Sequence, residues 1–538
     1  MIYHWSNKDK LENDSEYLTH LYERYLIYLS DILNKFHSLE KDTKYWRIII
    51  GPWLRFFIDI AFDRYETLKL KGLNLSHKKK HHAKNYIYLR DNDFDSFFKN
   101  CYTDKWNDNL LNLIQGLDPL KNPYKQKIKK RKIIFIKSFM KNLYIILINP
   151  INRKFNKNIL IIDPYINFKS LFNFAARTGL IPYLTKSRNL KGASKWDEFV
   201  GSISECKFNS NFEKILNKLI LIYIPNIYTN YFIQFRNDVL NDIKILPKII
   251  LTANGYQYNE EFKLIAAEIY SNNGKILISQ HGGNMGLAKH NQAETHQIKI
   301  ANQFYSYGWR VNGSKNITSM PSMKLSSLSH LKASKKGKII NVMGSFPRYF
   351  YTFFSMPLGP EYLDYLNLQK TLTNNLDKHV ASKLIHKLDE DVYGWNAKKL
   401  MNDKGLRLCK SNTTLRNQLN KCSICISSYN STVALETLSA NYPTILYWPE
   451  KIFEIREDAL PYMKILAKVG IYHTSAKSAG NHINKIAKNI EDWWERKSVQ
   501  EARELFVSKY ALSDKNWIKY WGNELVKQSK FNLNDIEN

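Results

Sequence analysis

Cysteine is scarce: the 538-residue chain has five. So few cannot build a disulfide framework in a chain of this length. Cys422 and Cys425 have C-x-x-C spacing. They sit in an apolar, strand-like run with no second pair of ligands, and read as core residues rather than a metal or redox centre. Long apolar runs are missing too. The nearest, Ile133 to Pro150, is broken by Lys137 and Lys141, which predicts an amphipathic helix and not a membrane span. The start, Met1 to Lys8, has neither an apolar stretch nor a small-residue cleavage site, so no leader is expected. No short-period repeat is present. Acidic residues are few, 49 Asp and Glu against 80 Lys and Arg, leaving a formal net charge of +31. Together these features predict a cytoplasmic protein whose basic surface favours polyanions: nucleic acid, anionic lipid, nucleotides or acidic sugars. No nucleic-acid-reading motif accompanies the charge, so nucleic acid is not expected as a partner.

What is present is a globular composition, 44% hydrophobic and 24% charged, with 14% aromatic residues. At roughly 100–200 residues per domain the length predicts two to four domains. Basic residues cluster at His77–Lys84 and Lys125–Lys132. These runs read either as solvated loops or as contacts to the anionic inner face of the cytoplasmic membrane. Residues 1–130 carry helical periodicity, with Leu18, Leu21, Tyr22, Tyr25, Leu26 and Leu29 on one stripe and a second helix following Pro52. From about 158 strands alternate with helices, which predicts parallel α/β sheets. Strands are expected at 158–163, 248–254, 275–280, 338–343, 383–386, 406–409, 423–427 and 443–447. The Ser- and Lys-rich stretch 311–337 reads as an inter-domain linker. The expected organisation is a helical region at 1–130, an acceptor-side α/β domain at 131–325, a nucleotide-binding α/β domain at 326–475, and C-terminal helices at 476–538.

Ligands on such sheets bind beyond the carboxyl ends of strands, so residues that follow strands are the candidates. Gln280-His281-Gly282-Gly283-Asn284-Met285-Gly286 is the most distinctive. Its glycines let backbone approach a ligand closely. His281 is placed to take a proton from an acceptor hydroxyl or to donate a hydrogen bond to a leaving phosphate; a tight turn with a backbone-satisfied His is the alternative. Glu294 is a candidate to orient His281. In the segment 426–436, Asn430 or Ser431 caps a helix, leaving N–H groups at Ser431, Thr432 and Val433 for a phosphate, with Glu436 in reach of ribose hydroxyls. An ordinary capped helix fits the same residues. After the 383–386 strand come His386 and Lys387, suited to phosphate, then Asp389 and Asp391, too few oxygens for a metal site. Ser345 and Arg348 follow the 338–343 strand and suit nucleotide phosphates, or form a plain turn. The aromatics of 45–54 read as core, with an acceptor-groove lining as the alternative.

The motifs YWRIIIGPWL (45–54), QHGGNMG with Glu294, YSYGW (305–309) and ISSYNSTVALE (426–436) together resemble an uncharacterised family of transferases of bacterial surface-carbohydrate biosynthesis. The resemblance continues through Asp458–Tyr462 and Trp493-Trp494. More distantly the chain is similar to the capsule Kdo transferases and CDP-glycerol glycerophosphotransferases of the GT-B superfamily. His281-Gly282 matches their HG loop, His386 their second-domain strand-end His, and Asn430, Ser431 and Thr432 their Ser/Thr loop; Lys387 departs from their usual Pro. The resemblance implies two doubly wound Rossmann-type domains facing across a cleft, with helical additions. It also implies a metal-independent glycosyltransferase without cofactor, its substrates a nucleotide-activated donor (a CMP-activated acidic sugar) and a saccharide or lipid-linked acceptor. A CDP-alditol phosphotransferase or a non-catalytic scaffold at the membrane surface are the alternatives.

Overall fold

The computed structural model describes residues 3–72, 90–116, 144, 148–149, 158–186, 188, 190, 195–203, 209–328, 331–388, 393–409 and 414–530. The basic runs at 77–84 and 125–132, most of the 133–150 segment, and Asp389 and Asp391 lie outside them.

Two five-stranded parallel sheets organise the described residues. The first holds β1 (Ile159–Ile161), β2 (Ile249–Thr252), β3 (Lys275–Ser279), β4 (Gln303–Ser306) and β5 (Ile317–Ser319), side by side in chain order. The second holds β6 (Lys338–Met343), β7 (Leu384–Leu388), β8 (Cys422–Ser427), β9 (Thr444–Tyr447) and β10 (Tyr472–His473), in the order β10-β9-β8-β6-β7. Chain direction across this sheet therefore reverses between β6 and β8. Strands buried on both faces read as apolar runs, and β2 and β8 are buried along their whole length. Cys422 and Cys425 are among those core residues.

Nine helices matter below: α1 (Lys8–His37), α2 (Thr43–Leu70), α3 (Phe168–Thr178), α4 (Glu260–Ser271), α5 (Gln292–Ile300), α6 (Glu361–Asn374), α7 (Thr432–Ser439), α8 (Lys497–Tyr510) and α9 (Trp517–Lys530). The predicted stripe of α1 is buried from Leu18 to Leu29. Asp42 caps α2 by accepting from the Tyr45 N–H at 2.8 Å. The helix then runs straight through Pro52 instead of starting after it. Burial of nearly the whole middle of α2 outweighs the one hydrogen bond proline removes. Tyr45, Trp46 and Trp53 are fully buried, so the 45–54 aromatics are core and not a groove lining. Tyr45 donates to Glu268 on α4 at 2.7 Å, fastening the N-terminal helices to the first α/β unit.

Two further expectations are corrected. The stretch 311–337 is not a plain linker, because β5 and a helical turn at Met323–Ser326 lie inside it. Leu406–Cys409 is no strand but a single bridge from Leu408 to His386. β4, β5 and β10 are too short or too polar to stand out by periodicity. At the C-terminus, α8 packs on the second unit, where Arg503 donates to the Leu438 carbonyl at 3.1 Å. The chain then returns to the first sheet. Trp517, Ile518, Trp521 and Leu525 of α9 join Phe174 of α3 in one apolar cluster against Ile159, Ile161, Ile249, Leu251 and Leu277.

A candidate active site between the two sheets

The segment after β3 ties the two units together. Ala288 and Ile455 form an antiparallel bridge, as do Asn291 and Phe354. The Lys289 N–H donates to the Glu454 carbonyl at 3.0 Å, and the Arg456 N–H to the Leu287 carbonyl at 2.9 Å. Within this strap Gln280 fastens the loop. Gln280 accepts from the Tyr307 N–H and the Trp309 indole, both at 2.8 Å, and donates to the Gly282 carbonyl at 2.8 Å. These bonds hold the YSYGW segment against the glycine loop. A Cβ on Gly286, which has φ of +75°, would overlap the Trp309 ring.

Glu294 does not orient His281. Its carboxylate accepts from the Gly286 N–H at 2.6 Å and from Arg456 at 3.0 Å. Burial pushes its pKa up to about 7, against the pull of both donors. Glu294 is a brace between the loop and the second unit.

Gly283 is the point of closest approach. A Cβ there would overlap the Ser431–Thr432 peptide at the start of α7. The two motifs singled out in the sequence, one from each unit, therefore touch backbone to backbone. Ser431 caps α7, its hydroxyl accepting from the Ala434 N–H at 3.4 Å. The N–H groups of Ser431, Thr432 and Val433 donate to no described residue. A helix start with free amides favours an anion. The site also lies at the β6/β8 reversal, where open α/β sheets bind ligands. Here Ser345, after β6, and Asn430, after β8, each keep a buried polar atom without a partner among the described residues, the Ser345 Oγ and the Asn430 Nδ2. Such atoms are costly unless a ligand or water meets them.

His281 lies two residues before Gly283 in the same loop. Its ring lies 5.8 Å from both Tyr165 and Tyr256. Burial lowers its pKa to about 4, aided by the charge of Lys324 and opposed by a hydrogen bond to the Ala253 backbone. The imidazole is therefore neutral at pH 7. Lys324, from the turn within the expected linker, reaches across to Glu436 of α7 at 2.8 Å and to the Tyr165 hydroxyl at 3.2 Å. Burial opposes its charge, but these two partners raise its pKa overall. Glu436 is thus at the site, engaged by a lysine.

Three other candidates lie elsewhere. His386 is 1% exposed. Its Nδ1 accepts from the Asn341 amide at 3.0 Å, and its Nε2 meets the Thr373 hydroxyl of α6 at 3.3 Å. Burial and the Arg407 charge lower its pKa to about 4. It is a satisfied core histidine on edge strand β7, not a catalytic group. Lys387 follows it on that edge. Arg348 turns outward to Asp104 at 3.1 Å and not to the α7 start. Lys324 and Tyr165 were missed by sequence reading. Tyr165 carried a signal, since it follows the β1 strand end; Lys324 sits in a stretch that looked like a spacer. Among the described residues, no group of three His, Cys, Asp or Glu is placed to hold a metal.

Several solved structures are similar in outline: an S. aureus MnaA–UDP co-structure (10% identity, 69% of this chain and 96% of that one, TM-score 0.38), a putative UDP-N-acetylglucosamine 2-epimerase from Listeria monocytogenes (9%, 70% and 96%, 0.40), and a CDPG-soaked variant of the wall teichoic acid polymerase TagF (10%, 75% and 98%, 0.34). No curated protein matches the sequence. The motifs that meet at this junction lie within residues 1–525, which match the LIC12162 family transferase, and the chain belongs to that family.

Proposed function

We propose that this transferase is a glycosyltransferase that moves a sugar from a nucleotide-activated donor onto a surface-polysaccharide or lipid-linked acceptor. The observation that carries the reading is the contact of Gly283 with the Ser431–Thr432 peptide, which brings the loop that carries His281 to the free helix amides. The donor phosphates sit at the α7 start, met by the amides, Ser345 and Asn430, while Lys324 exchanges Glu436 for phosphate. In the transfer, the acceptor hydroxyl oxygen bonds to the anomeric carbon and the bond from that carbon to the phosphate oxygen breaks. His281 takes the hydroxyl proton, and the electron pair leaves with the nucleotide phosphate, stabilised by Lys324 and the amides. An anionic donor offsets the Lys324 field at His281 and strengthens it as a base. A CMP-activated acidic sugar is the favoured donor, in keeping with the basic chain and the Kdo-transferase resemblance.

Thermal stabilisation by CMP, CDP, UDP, GDP and their sugar conjugates tests the reading. A native-state ligand at 100 times its Kd adds about 2.7 kcal/mol. The expected result is a shift with one nucleotide class that disappears in Ser431→Trp. A flat response to every nucleotide would remove the proposal.

A further inference from the structure

Helices α3 and α9 lie next to one another over the same face of the first sheet. The Phe174 and Trp517 rings stack at 5.8 Å, and both residues belong to the apolar cluster that covers β1, β2 and β3. Their outer faces therefore look the same way into solvent. On α3 that face carries Phe168 and Phe172, 79% and 68% exposed, one helical turn apart. Among the described residues they are the only phenylalanines so exposed. On α9 it carries Tyr520 and Val526, 44% and 52% exposed.

The charges around these side chains have one sign. The exposed charged residues of the two helices are Lys169, Arg177, Lys519, Lys527 and Lys530. The one acidic residue, Glu524, is half-buried and accepts from Tyr305 at 2.8 Å and Gln528 at 2.9 Å. Protruding aromatic rings framed by lysine and arginine, with no exposed carboxylate, match a helix that lies in the interface of an anionic bilayer. No helix of the described residues is long and apolar enough to cross a membrane, so any attachment through this face is peripheral. The face also has a position relative to the site. α3 begins three residues after Tyr165, whose ring meets both His281 and the Lys324 ammonium.

We infer that the α3/α9 face docks on an anionic phospholipid surface, inserting Phe168 and Phe172 and setting the His281 side of the cleft toward the bilayer. This stands apart from the identity of the donor, because its readout is lipid binding and not transfer.

The test is co-sedimentation of the full chain with phosphatidylcholine vesicles and with vesicles containing about one-third phosphatidylglycerol. Binding is expected to the anionic vesicles only, and to weaken as salt rises. Phe168→Ser with Phe172→Ser should lower it by about tenfold or more, in line with the loss of two inserted rings, with the melting temperature unchanged. Absence of binding to anionic vesicles would overturn the inference. So would a double variant that binds like the parent, which would assign lipid binding to another part of the chain. A double variant that loses several degrees in melting temperature would show the rings packed within the protein, and one that converts a dimer to a monomer would show a second copy as the occupant; either result also overturns it.

Discussion

His281 and His386 look alike in the sequence: each was read as ending a parallel strand and facing a cleft. β3 sits in the middle of the first sheet, whereas β7 is an edge of the second. The loop after β3 emerges opposite the α7 start, and Gly283 touches it. β7 continues past His386 to Leu388, so that histidine is a mid-strand residue, enclosed by Asn341 from β6 and Thr373 from α6. Strand order, which no local pattern encodes, separates a histidine available for chemistry from one committed to packing.

The sharpest way to break this comparison is at the glycines. Gly283→Ala forces a methyl group into the Ser431–Thr432 backbone, so nucleotide stabilisation and transfer should both be lost, with about 1–3 kcal/mol of overpacking strain. Gly282→Ala meets nothing nearer than Asn284 Oδ1 at 3.9 Å, and should stay within about 0.5 kcal/mol of the parent. Equal effects of the two substitutions in calorimetry would remove the contact from the mechanism. The histidines come next. His386→Ala should cost about 2–4 kcal/mol in chemical denaturation, through a cavity and the loss of two buried hydrogen bonds, while the folded fraction still binds nucleotide. His281→Ala should do the reverse, abolishing transfer in a protein of near-parental stability. Retained transfer would refute its role as base.

A smaller effect concerns pH. The folded pKa of His281 lies near 4, below the value of about 6.5 for an unfolded histidine. Between those values the unfolded chain binds the extra proton. The stability His281 contributes is therefore complete above pH 6.5 and is lost as pH falls toward 4. A His281→Asn variant should lose less stability than the parent over that window, by up to about 3 kcal/mol at pH 4. Parallel curves would mean the imidazole is not buried neutral. The smallest effect should come from Arg348→Ala. Its partner Asp104 is largely exposed, as is Arg348 itself, and such pairs contribute about 0–1 kcal/mol. A selective loss of nucleotide affinity in that variant would bring Arg348 back to the site.

These contrasts also mark what sequence could reveal. The strands from β1 to β3, β6, β8 and β9 were legible because buried parallel strands are continuous apolar runs. The loop after β3 and the α7 cap were legible because glycines and Ser/Thr at strand ends have local physical causes. Lys324 was not. Its neighbours suggested a spacer, although Ser322 caps the turn by accepting from the Leu325 N–H at 3.1 Å, and Met323 and Leu325 are buried. Its partners, Glu436 and Tyr165, come from distant parts of the chain. Glu294 was expected to orient His281, but its partner is Arg456, which reaches it from the other unit.

The return of α9 to the first sheet bears on how the protein is made. β1 to β5 leave the ribosome before the second unit, whereas Trp517, Trp521 and Leu525, which cover one side of them, follow it. Until then that side presents Ile159, Ile161, Ile249 and Leu251 without the cover of α9. The nascent chain carries an adhesive surface through the synthesis of the whole second unit, and holdase chaperones have a defined stretch to shield. Emergence of α9 is the step that seals it.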